Sequence, residues 1–290
     1  MCCSGHPDYQ VCRVVTHIIR LCRKIENMKK LITLCLAASV LAPAFAFCPE
    51  EYVETERFSA RYAVQGVAVD AKHVYAIENT HITKFTKQGD SLTTWSAPKG
   101  ERFRHINYGI VLGSKLYCAA SNFPLYPMTS SVEIFDTKTM THIGTHSFGI
   151  DYGSLTWIIP TKGGWYAFFA HYTRPASKTK TTDDFNCLSQ LVKFDKKWQK
   201  LEAWTIPSEI LDELGTTSLS GGILVGDVFY CTGHDSFEMY QLRIPKSGSA
   251  LELTGRVKVP FFGQAPAIDR DGSLWGIIRK ENAVVHGVRK

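Results

Sequence analysis

Histidine is the side chain that most readily changes charge near neutral pH. Several histidines of this sequence stand at the ends of short apolar runs. In VFYCTGHDSFEMYQL (Val228–Leu242), His234 and Asp235 occupy a tight polar turn. An imidazole beside a carboxylate suits a base or a metal ligand whose partner fixes the tautomer. Taken alone, the pair reads better as an exposed polar turn, and the equivalent placement of His171, Asn122 and Asn79 brings the two readings level. His105 and Asn107 precede a second apolar run, and His171 follows a third. His105 and His234 are the acid/base candidates. Gln65, Asn79, Asn107, Asn122, His171, Asp235 and Gln264 could hydrogen-bond substrate oxygens, and Arg279 could pair with a carboxylate.

Other chemistries find less support. There is no G-x-S-x-G, and no serine stands beside an evident base. Zinc would need three convergent ligands such as His105, His171 and His234, and none of these three stands in an H-x-H or H-x-x-x-H spacing. Calcium wants more charged oxygen ligands than Glu78, Asp235 and Glu238 supply. No cofactor is predicted, and a divalent metal, calcium or zinc, stays open. Cys118 and Cys231 lie inside apolar runs of separate repeats and read as small buried hydrophobes, too far apart to bridge. Trp157 is expected in the core, while His146 could face either way.

The elements that must position these residues are short β-type runs divided by polar turns. They repeat. YGIVLGSKLYCAASN (Tyr108–Asn122) lies over GGILVGDVFYCTGHD (Gly221–Asp235), and Gln65–Asn79, Ser154–Tyr172 and Gly263–Lys280 have the same form. A third run of similar kind follows each copy, and four copies have a fourth. The first runs begin near residues 66, 109, 154, 222 and 264, at steps of 43, 45, 68 and 42. Units of that length with four strands each are propeller blades. The fold is therefore expected to be an all-β propeller of five four-stranded blades, with six as the alternative. The run EYVETERFSARY (Glu51–Tyr62) would supply the last unit's missing strand and close the ring.

In such a blade the loop between strands two and three lies on one face, the top, together with the lead into strand one. Those positions hold the amides and histidines named above. The opposite turns read DAKH, LGSK, PTKG, VGD and DRDG, which is ordinary turn chemistry. In the stretch Ser121–Asp136, Pro124 and Pro127 stiffen a longer loop carrying Phe123, Tyr126 and Met128, which is expected as an apolar wall beside the polar ring. The insertion Arg174–Asn186 reads as a flap on the same face. Ser208–Leu214 is a short helix, with Ser208 as its N-cap.

The chain has 290 residues and a formal net charge of +6. Lys29 and Lys30, the apolar Leu31–Leu41, Pro43 and Ala44-Phe45-Ala46 form a Sec-type signal with cleavage after Ala46. Residues 1–27 then read as an upstream extension, and 47–290 as a single propeller domain. Residues 1–46 hold six Lys/Arg and two Asp/Glu, which leaves the remainder at +2. That balance gives no argument for nucleic acid or an anionic membrane. The expected setting is the periplasm or outside the cell, with a small-molecule partner, no stable membrane anchor and a monomeric state.

The stretches QGVAVD…YAIEN, HINYG…LYCAASNFPLYPMTSSVEIFD, HSFGIDYGSLTW, YCTGHDSFEMYQL and GQAPAID resemble a group of secreted bacterial β-propellers labelled cycloisomerases or lactonase-like proteins. The resemblance covers most of residues 63–275. It implies the opening or closing of a lactone by a top-face acid/base histidine. The Glu/Asn/Asp calcium set of the metal-dependent lactonase propellers does not map onto this chain. A shorter resemblance, Gln65-Gly66 and Leu155-Thr156-Trp157, is to five-bladed glutaminyl cyclases. Two functions are thus in view: a lactone-opening or cycloisomerase enzyme on a sugar-acid-like substrate, or a non-catalytic periplasmic propeller that binds a ligand or a protein.

Overall fold

Successive side chains of a β-strand point to opposite faces. In this chain both faces of the inner strands are apolar, so each strand must be covered on two sides. A computed structural model describes residues 51–100, 103–174, 185–234 and 236–290. Asp235, residues 1–46 with their signal and extension, and most of the insertion lie outside the described residues. The ring begins with β1 (Tyr52–Ser59). Blade one is β2 (Gly66–Val69), β3 (His73–Glu78), β4 (His81–Thr86) and β5 (Ser91–Ser96). Blade two is β6 (His105–Leu112), β7 (Lys115–Ser121), β8 (Ser130–Asp136) and β9 (His142–Gly149). Blade three is β10 (Ser154–Pro160), β11 (Gly164–Ala170), β12 (Gln190–Asp195) and β13 (Lys200–Thr205). Blade four is β14 (Gly221–Val225), β15 (Val228–Thr232), β16 (Glu238–Arg243) and β17 (Glu252–Lys258).

Blade five is β18 (Ala267–Ile268), β19 (Leu274–Ile278), β20 (Ala283–Arg289) and, outermost, β1. β1 runs antiparallel to β20, from Tyr52 opposite Arg289 to Ser59 opposite Ala283. The count is five, and the N-terminal strand closes the ring as the sequence predicts. The helix predicted at Ser208–Leu214 is present as α1, but Pro207 is its N-cap, no side chain caps it, and Ser208 is already helical.

The two-sided covering is visible strand by strand. On β3, Val74 and Ala76 join the cluster with Trp275 and Val284 of blade five, while Tyr75 and Ile77 join Leu116 and Phe135 of blade two. On β15, Phe229 and Cys231 meet blade three and Tyr230 meets blade five. Cys118 and Cys231 are thus buried at different joints, as expected of small hydrophobes. Trp157 is 1 % exposed and stacks on Phe168. His146 sits on the outer strand β9 and stacks on Trp198, away from the inner strands.

The inner strands approach one another closely. A Cβ on Gly66 would lie 2.5 Å from the Ala265 Cβ and 2.8 Å from its carbonyl oxygen. Glycine there lets blades five and one exchange backbone hydrogen bonds, Val67 N–H to Ala265 O and Ala265 N–H to Gln65 O. Two inner strands carry a bulge, at Asn107 in β6 and Thr156 in β10. Each bulged side chain crosses to the next blade: Asn107 Nδ2 donates to Leu155 O at 3.0 Å, and Thr156 Oγ1 to Leu219 O at 3.2 Å. A bulge re-aims a side chain out of the pleat. Here it turns a polar group from a strand face to a blade joint. Among the described residues no helix is long and apolar enough to cross a membrane.

Candidate functional site

The top-face loops bring four of the predicted residues together where blades one, two and five meet. The backbone N–H of Gln65 donates to Ile77 O, which lays the lead into β2 over the end of β3. Asn79 follows β3. Its side-chain oxygen accepts Gln65 Nε2 at 3.0 Å and His105 Nδ1 at 2.5 Å. Arg279, after β19, donates from Nε to Val64 O at 2.9 Å. A carbonyl oxygen can only accept, so the hydrogen of His105 sits on Nδ1. Among the described residues Nε2 has no hydrogen-bond partner.

The electrostatics of His105 follow from its place. Burial lowers its pKa first, the Arg279 guanidinium lowers it further, and Glu78 opposes both; the result is about 4. His105 is therefore neutral at pH 7, with one nitrogen fixed and the other a lone pair. Burial alone would raise the Glu78 carboxyl. Hydrogen bonds from His81 and Thr80 outweigh that and hold it below its ordinary value. The His81 ring in turn stacks on Tyr62 at 4.2 Å.

The expected apolar wall is present. Phe123 lies 5.0 Å from the His105 ring and 4.9 Å from Tyr172, and the Arg174 guanidinium covers Phe123 at 4.4 Å. Asn122 braces this loop, since Nδ2 donates to Pro127 O and Oδ1 accepts Thr129 N–H. Both ends of its amide are committed to the loop. The Asn107 amide donor is likewise committed to the joint with blade three.

The other predicted residues stand at other joints. His171 Nε2 donates to Tyr152 O at 3.0 Å, and its backbone N–H and carbonyl both bond Ser189 Oγ. Gln264, 4 % exposed, donates from Nε2 to the His234 carbonyl, and Thr232 Oγ1 donates to Gln264 O. His234 is half-buried. Below the mouth the axial channel is apolar, a space of about 230 Å³ whose lining includes Val69, Ile110, Ile159, Ile223 and Ile268. Among the described residues no three His, Cys, Asp or Glu gather to hold a metal ion.

Sequence reasoning did not foresee the Arg174 cover on Phe123, the Val64 carbonyl that anchors Arg279, or the His81–Tyr62 stack. Backbone acceptors leave no mark on side-chain spacing. The Tyr62–His81 pairing joins a connector to a neighbouring hairpin.

No protein-family model and no curated protein matches the sequence. Among solved structures, the chain is similar to the Myxococcus xanthus glutaminyl cyclase, with a TM-score of 0.53 and 8 % identity over 83 % of this chain and 97 % of that one. A Bacteroides caccae protein of unknown function follows at a TM-score of 0.42, with 14 % identity over 72 % and 68 %. BamB from Moraxella catarrhalis gives 0.33, with 14 % identity over 79 % and 60 %. The first likeness is one of fold, and that neighbour is an enzyme.

Proposed function

We propose that the mouth between blades one, two and five is a small-molecule active site that opens or closes a lactone-type ring on a small hydroxylated carboxylate. One observation carries the reading: Asn79 fixes the hydrogen of His105 on Nδ1, and Nε2 remains for a ligand beside Arg279. Arg279 would hold the substrate carboxylate. That pairing cancels part of the repulsion that depresses His105, so the imidazole becomes a stronger base once substrate binds. In the opening direction, water gives its proton to Nε2 as its oxygen attacks the acyl carbon. The acyl–oxygen bond of the ring breaks, and the proton passes to the departing ring oxygen. Gln65 and Asn79 are positioning residues. The signal-like Met28–Ala46 supports export, with the mature protein acting in the periplasm or outside the cell.

A second reading is a ligand-binding propeller without chemistry. The low His105 pKa favours it, because a neutral imidazole accepts a hydrogen bond well but is a weak base. One assay separates the two. The purified protein is incubated with a panel of lactones, sugar acids and muconate-like diacids, and ring opening is followed by proton NMR. Turnover that is lost in His105→Gln while binding persists supports the enzyme. Binding without turnover in the wild type supports the second reading. Neither binding nor turnover would sink both.

A further inference from the structure

One cavity lies away from the axis. A cleft of about 570 Å³ opens between blades one and two. That size falls among small-molecule sites. Its wall is Trp95, Pro98 and Phe103, from the outer edge of blade one and the connector into blade two. Its floor is the face of β8 and β9 that looks toward blade one.

A carboxylate stands on that floor. Glu133 is 7 % exposed in the middle of β8. Its Oε1 accepts Ser131 Oγ at 2.6 Å, and its Oε2 accepts Thr145 Oγ1 at 2.6 Å and His142 Nε2 at 2.8 Å. An ionised carboxylate only accepts, so it draws the hydrogens of Ser131 and Thr145 to itself. Both hydroxyl oxygens then keep lone pairs for a ligand, and His142 Nδ1 has no partner among the described residues. The rim supplies the opposite chemistry. Ser121 Oγ receives hydrogens from Ser154 and the Phe123 N–H, which leaves its own hydrogen to give. Arg104 lines the cleft and forms no ion pair or hydrogen bond among the described residues.

These commitments select a ligand class. The charge of Glu133 is already met by three donors, so a cationic ligand gains little from it. Among the described residues Arg104 is the cleft's unmatched charge, and it calls for a carboxylate. Acceptors on the floor and a donor at the rim call for several hydroxyl groups. The aromatic wall suits the C–H face of a compact ring. We propose that the cleft between blades one and two binds a small hydroxylated carboxylate of the sugar-acid class, with Arg104 taking the carboxylate and the Ser131–Glu133–Thr145 floor the hydroxyls. This site is separate from the His105 mouth, and it stands whether or not that mouth is catalytic.

The test uses the full chain and glucuronate as the probe, with glucose and acetate as controls, read by isothermal titration calorimetry and by tryptophan emission. Glucuronate is expected to bind, with glucose and acetate each about tenfold weaker or more, since a charge-assisted pair or a set of hydroxyl contacts is missing. Arg104→Ala should weaken glucuronate by about tenfold or more, and Arg104 is exposed, so its loss leaves the fold intact. Glu133→Gln, which keeps the shape of the floor, should weaken it as well. The Trp95 emission change reports the cleft alone: it should persist in Arg279→Gln, which alters the mouth, and Trp95→Phe should abolish it. Loss of binding in Arg279→Gln with retention in Arg104→Ala would assign the ligand to the mouth and overturn the proposal. No binding of glucuronate to the wild type at millimolar concentration would overturn it too, without touching the turnover assay of the mouth.

Discussion

The Nδ1 of His105 and the side-chain oxygen of Asn79 stand 2.5 Å apart, across the joint between blades one and two. The two residues are 26 positions apart in the chain. One belongs to the loop leaving β3 and the other to the first residue of β6. The pair ties a proton-carrying ring to a neighbouring blade, so its orientation is a property of the ring of blades and not of one loop.

That placement makes a pH prediction. The folded pKa of His105, about 4, lies below its ordinary value of 6.5. Between those values the unfolded chain binds the proton and the folded one does not. The stability held by neutral His105 is therefore complete above about pH 6.5 and is lost as pH falls toward about 4. The loss across that window is on the order of 3 kcal/mol. Urea unfolding from pH 7 to 4 should show the wild type losing that much more than His105→Gln. In an NMR titration Arg279→Gln should raise the His105 midpoint. A wild-type midpoint near 6.5 would remove the basis of this prediction.

Asn107 tests the distinction between site and scaffold. It is 6 % exposed and donates to Leu155 O from a bulge. Asn107→Ala should cost about 1–3 kcal/mol in stability through the lost buried hydrogen bond. Ligand affinity at the mouth should not change. A variant of wild-type stability with impaired binding would return Asn107 to the substrate-binding set.

Gly66 tests how tightly the inner ring is drawn. An added methyl would meet the Ala265 Cβ and carbonyl oxygen, both held by the neighbouring blade. Gly66→Ala should destabilise the protein by about 3 kcal/mol or more. Thermal unfolding reads this directly, and an unchanged midpoint would mean that blades five and one can part at little cost.

The cysteines should divide by burial. Burial pushes the Cys231 thiol up, and burial with the Glu133 charge pushes Cys118 up. Cys187 is exposed. Brief iodoacetamide treatment of the native protein, followed by peptide mass mapping, should label Cys187 and spare Cys118 and Cys231. Equal labelling of the three would contradict the buried joints.

The blades were legible because short apolar runs and polar turns recur at nearly even steps, and because Glu51–Tyr62 was a strand-like run without a blade. The mouth was legible in part. Gln65, Asn79, His105 and Arg279 flank strands at equivalent loop positions, and the blade geometry brings such positions together. Asn107 and Asn122 share that placement, yet one is turned aside by a bulge and the other braces its own loop. Neither fact follows from residue type. The cleft at Glu133 was missed because SSVEIFD reads as an ordinary third strand. A signal was present: both faces of a blade's inner and third strands are covered, so a carboxylate in mid-strand had to have partners on the next blade or its own outer strand.

The hydrogen bonds between β1 and β20 set an order of assembly. Tyr52 faces Arg289 and Ser59 faces Ala283, so β1, which is made before every other described strand, is among the last to find its partner. The first four sheets join strands that follow one another in the chain and can form from local hairpins. The seam, like the backbone hydrogen bonds of Ala265 to Gln65 and Val67, requires a contact spanning nearly the whole ring, and such distant pairings are slow to form. Until β20 emerges, β1 is an unpaired strand edge. The interval between synthesis of the two is thus the period in which this chain is most exposed to pairing with a strand that is not its own.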